Sequence, residues 1–141
     1  LFGISIPLIL SEYKLSKLAA KYGFRKMFVL GFLIIAIISF VCFFVSNIYY
    51  LLFLLVLASF GAAMLEPTTE AYFFDISRKG TASHFYGPFN TRADIFGLCA
   101  RVFSIILLIF LPFKFLFILF GIFMIIMVFF ALKIKDVVEE N

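Results

Sequence analysis

Hydrophobic residues fall into long unbroken runs along this chain, separated by short polar breaks. Residues 27–46, "MFVLGFLIIAIISFVCFFVS", carry no charge. After "NIYY" a second run covers 51–74, a third about 89–111, and a fourth 115–132, "FLFILFGIFMIIMVFFAL". Each has the ~20 residues that a helix needs to cross a hydrocarbon core of about 30 Å. A lipid-exposed backbone must satisfy its own hydrogen bonds, so each run is expected to be a helix. The first apolar run, "LFGISIPLIL", is only ten residues long before Ser11 and Glu12. It reads as the tail of a truncated span (1–13), followed by a polar loop at 14–26 and, after the last span, a tail at 133–141. Gly80, Gly87 and Pro88 punctuate "KGTASHFYGPFN", which reads as a break before the third run. The expected fold is an all-α polytopic membrane helix bundle of about five transmembrane helices.

Composition supports that expectation. Hydrophobic residues are 65% of the chain, charged residues 14%, and mean hydropathy is +1.20. A soluble domain is nearer half apolar and a quarter charged. The net charge of +4 does not point to nucleic acid, because basic residues alternate between connections. Lys14, Lys17, Lys21, Arg25 and Lys26 lie in the first loop, Arg78 and Lys79 in the second break, and Lys133 and Lys135 in the tail. "NIYY" and "PFK" hold only Lys114. The positive-inside rule then places the 14–26 loop, the 75–88 break and the C-terminus in the cytoplasm of a cell-membrane protein. Cys42 and Cys99 each sit in an apolar run, with no disulfide framework or metal spacing. No His/Asp or Cys/His constellation and no phosphate loop appears, so no enzyme, cofactor or metal is expected.

Polar residues inside the spans are the candidate chemistry. Asn90, Asp94, Gly97, Arg101 and Ser104 recur at spacings of four and three, which is one helix face. In the preceding run Ser59, Ala62, Glu66, Thr69 or Glu70, and Phe73 share a face. Glu66 lies fifteen residues beyond Leu51, ~22 Å from the outer edge at ~1.5 Å per residue, and Arg101 eleven residues before Pro112, ~16 Å from it. Both depths are inside the core. Pairing is therefore expected between Glu66 and Arg101, and between Arg92 and Glu70 or Asp94. An isolated charge at the bilayer centre costs roughly 2.5–3.5 kcal/mol on insertion scales. Pro67 should kink the second run and free a carbonyl near residue 63. Gly61, Ala62 and Ala63 should admit a close helix neighbour. The last run has no polar residue and should face lipid. The seam has two readings: a solute or proton path, or a structural ion-pair clamp in a non-transporting receptor or scaffold.

The loop "LSKLAAKYGFRKMFVLG" resembles the signature loop of the major facilitator superfamily, roughly Gly-x-Leu-Ala-Asp-Arg-x-Gly-Arg-Arg. Leu18 and Ala19 match its Leu-Ala, Lys21 the basic position, Gly23 the second glycine, and Arg25 and Lys26 the basic pair, shifted by Phe24. Ser16 and Ala20 replace the first glycine and the aspartate. "FGAAMLEPTTEAYFFD" is similar to the family's Gly-rich, proline-containing helix, and "RKGTASHFYGPFNTRADIFG" to the start of the next helix. "FGLCARVF" stands where an antiporter pattern would be. The resemblance implies half of a twelve-helix secondary transporter working by alternating access. This chain would supply helices eight to twelve of the C-terminal half, helices two to six being the alternative. Its partners would be a small-molecule solute, a coupling proton or cation, the lipid bilayer and the missing N-terminal half. Glu66, Glu70, Asn90, Asp94 and Arg101 would line the path. Lys21, Gly23, Arg25 and Lys26 would form a cytoplasmic gate loop, also touching acidic head groups. The spans 27–46 and 115–132 would sit at the lipid side.

Overall fold

A computed structural model describes residues 23–77 and 82–134. The truncated span 1–13, Lys21 with most of the basic loop, the Arg78–Lys79 break and the tail from 135 lie outside the described residues. Four helices follow in order: α1 (Phe24–Phe44), α2 (Ile48–Ile76), α3 (Ala82–Phe110) and α4 (Phe113–Ala131). Each is long and apolar enough to cross a membrane by length and composition. The chain is thus an all-α polytopic membrane bundle. One end carries the start of α1, the end of α2, the start of α3 and the end of α4; it is called the basic end below, after Arg25, Lys26 and Lys133.

All four helices start before their hydrophobic runs, and α1 and α2 show a local cause. α1 begins at Phe24, so Arg25 and Lys26 belong to its first turn and not to a loop. Gly23 precedes it with φ 89°, a left-handed conformation that costs a residue with a Cβ. α2 begins at Ile48 because the Asn47 side chain caps it, accepting from the Tyr49 N–H at 2.9 Å. "NIYY" is therefore mostly a first helical turn. α3 begins at Ala82 and runs through Gly87 and Pro88, which do not break it. Pro88 lies inside α3 and removes one i→i−4 backbone bond, yet the helix continues through it.

α1 packs closely on both α2 and α4. On α2, Gly61 meets Gly31: a Cβ added to Gly61 would lie 2.9 Å from the Gly31 carbonyl oxygen and 2.8 Å from Ile35. The two backbones approach this closely because neither glycine carries a side chain. On the other side, the Phe40 ring covers Gly121 of α4. Beside the basic end, Phe24, Met27, Phe28 and Ala131 form a buried cluster with Leu65, Tyr72 and Ile134 against it. At the opposite end the Lys114 ammonium donates to the Ser46 hydroxyl at 2.7 Å, and Phe43 meets Phe115 edge-on. α1 keeps one outward stripe, Leu30, Leu33, Ile37, Val41 and Phe44, and buries its other faces. α4, apolar apart from Lys114, exposes most of its surface.

Candidate functional site

α2 presents two distinct faces. Gly61, Leu65, Thr68 and Tyr72 turn toward α1. At 3.6 residues per turn, Glu66 stands about 125° round the helix from that face, with Glu70 further round. Both carboxylates are exposed. Pro67 lies between them inside the helix and cannot donate to the Ala63 carbonyl four residues earlier. The hydroxyls that follow bond their own helix, Thr68 to the Met64 carbonyl and Thr69 to that of Leu65 at 2.6 Å. Thr68, although fully buried, is thereby satisfied and has no spare donor for a ligand. Ser39 of α1 is settled the same way, donating to Ile35 at 2.8 Å.

α3 stands apart from this pair. None of the window that qualifies its span as membrane-crossing is buried. Asn90, Asp94 and Arg101 are exposed, and Ser104 and Gly97 are partly covered. The stripe expected from spacing is therefore present along one side, and Gly97 has open space beside it. The expected Glu66–Arg101 pair is not made: among the described residues no ion pair joins them, and both side chains stand open. Arg92 also departs from expectation. Its guanidinium lies over the Phe89 ring, 3.7 Å from the centroid, and not on Glu70 or Asp94.

The cause is where α2 and α3 meet. Their ring contacts gather at the basic end, where Phe73 stacks on Phe89 with centroids 4.0 Å apart and Phe74 stacks on Tyr86 at 5.7 Å. Tyr86 and Phe89 complete the group at 6.4 Å. These aromatics, with Gly31, were not singled out by polarity or spacing. The signal was the crowding of "YFF" at 72–74 and "FYGPF" at 85–89 on opposite sides of one break. Of the basic loop, Gly23 is buried, Lys26 is exposed, and Arg25 is exposed at its residue level but engaged in an interaction. No group of three or more metal-ligating side chains occurs among the described residues.

Four helices long and apolar enough to cross a membrane, two of them bearing exposed charges, define a class: a multi-pass membrane protein. The family model of the Major Facilitator Superfamily matches residues 1–141. The chain belongs to that superfamily, whose members are transporters of small-molecule solutes in lipid membranes and not enzymes. Neither a curated protein nor a solved structure matches it.

Proposed function

We propose that this chain is part of a secondary active transporter that works by alternating access, and that it supplies helices eight to twelve of the C-terminal half. The observation that carries the reading is the open placement of Glu66 and Arg101. Each lies mid-span on a side of its helix that α1 and α4 leave uncovered. Lipid there would cost roughly 2.5–3.5 kcal/mol per charge, so those sides favour water or partner helices across a central cavity. A clamp holding α2 to α3 would need Glu66 and Arg101 in contact within the chain, and they are not. Glu66 or Asp94 acts as the proton-titrating or cation-binding group, Glu70 and Asn90 extend the seam toward the basic end, and Arg101 is the counter-ion or the anchor for an anionic solute. Lys21 and Gly23, with Arg25 and Lys26 on the first turn of α1, form the cytoplasmic gate, with the C-terminus on the same side of the cell membrane. The missing N-terminal half closes the cavity.

The test is uptake by the intact transporter in liposomes, screened first against labelled sugars, amino acids and organic anions. Glu66→Gln and Arg101→Ala are each expected to insert normally and to lose at least tenfold in uptake of the solute found. Parental uptake in both variants would leave the seam without a transport role.

A further inference from the structure

We infer that Phe73, Phe74, Tyr86 and Phe89, with Arg92 laid over Phe89, form a latch that holds the basic-end tips of α2 and α3 together as one unit. Four observations converge on it. First, among the described residues α3 has none buried along its membrane-crossing window, and its packing on α4 is slight. Second, the stacked rings bridge the two helices: Phe73 on Phe89 at 25° between planes, Phe74 on Tyr86 at 23°. Nearly parallel rings at these separations resist sliding and splaying more than aliphatic contacts do, because the offset geometry is specific. Third, a guanidinium 3.7 Å from the Phe89 centroid closes the far side of that ring, so Phe89 is sandwiched between Phe73 and Arg92. Fourth, the neighbouring Tyr72 turns the opposite way, meeting Phe24 at 5.7 Å and Phe28 at 6.1 Å. Three consecutive aromatics thus bind the last turns of α2 to α1 on one side and to α3 on the other.

Pro67 sits just before these turns, at the one internal position of α2 whose backbone donor is missing. The segment beyond it is set to bend as a block, and the latch makes α3 follow. Phe73, Phe74, Tyr86, Phe89 and Arg92 are positioning residues in this scheme. Only the consequence for transport rests on the transporter reading; the latch itself is measured without any solute.

Spin labels at Ile76→Cys and Phe85→Cys, both exposed beside the rings, report the tip separation in the intact protein in nanodiscs, with Cys42→Ala and Cys99→Ser removing native thiols. A second pair, Ile76→Cys with Leu132→Cys, reports the rest of the bundle. Phe89→Ala is expected to at least double the width of the 76–85 distance distribution while the 76–132 distribution keeps its parental width. Phe89→Tyr should restore the narrow distribution, and Arg92→Gln should broaden it partway. Where Phe89→Ala fails to insert, Phe89→Leu retains apolar bulk without stacking and is expected to broaden the 76–85 pair. A parental 76–85 width in the alanine or leucine variant overturns the latch. Equal broadening of both pairs also overturns it, because the rings would then be general packing. Loss of uptake in the seam variants, or its persistence, leaves this measurement unaffected.

Discussion

Glycine positions separate close contact from mere flexibility at the residue scale. Gly61 faces backbone: the Gly31 carbonyl oxygen would sit 2.9 Å from an added Cβ. Gly31 faces the Leu65 side chain at 2.7 and 2.8 Å and the Gly61 carbonyl oxygen at a looser 3.1 Å, and Gly97 faces open space. Overpacking a close-fitted contact costs about 1–3 kcal/mol. Gly61→Ala should therefore lower the thermal unfolding midpoint in detergent, Gly31→Ala should lower it less, and Gly97→Ala should not lower it. A Gly97→Ala variant as unstable as Gly61→Ala would mean that α3 packs where this chain shows nothing.

At the scale of elements, α2 concentrates the opposing demands. Its first half is a smooth apolar helix capped by Asn47, and its second half carries Glu66, Pro67, Glu70 and the aromatic contacts. Replacing proline by alanine inside a helix recovers up to about 3 kcal/mol of intrinsic helix preference. Pro67→Ala is expected to leave the unfolding midpoint unchanged or raised, and to slow solute uptake severalfold by stiffening α2 at that point. Uptake at the parental rate would show that the proline is tolerated and not used. The helix bounds show how far pattern reading reaches. All four spans were legible, because only a long apolar run satisfies the bilayer. Their starts at Phe24, Ile48 and Ala82 were less legible, since capping by Asn47 and the continuation of α3 through Pro88 depend on backbone geometry rather than hydrophobicity.

For the molecule as a whole, the open question is which side of the membrane each end meets. Arg25, Lys26 and Lys133 gather at one end, and Lys114 stands at the other with its ammonium on Ser46. The positive-inside bias predicts that the first group is cytoplasmic. A membrane-impermeant thiol reagent applied outside intact cells should label Asn47→Cys and spare Lys133→Cys, with the pattern reversed in inside-out vesicles. Labelling of Lys133→Cys from outside would invert the orientation and with it the role of the gate loop.

The sequence alone determined the number and kind of the described spans, the family resemblance carried by the 15–31 loop, and the polar stripes through Glu66 and Arg101. Those follow from length, periodicity and composition, which are properties of a chain read one residue at a time. Only the tertiary structure decided that α1 is the packed centre, that Gly31 meets Gly61, and that Arg92 lies on Phe89 while no ion pair joins Glu66 to Arg101. Which faces meet depends on how each helix is rotated and how far apart the axes lie. Those quantities are set by side-chain shape across two elements, and no single run of sequence contains them.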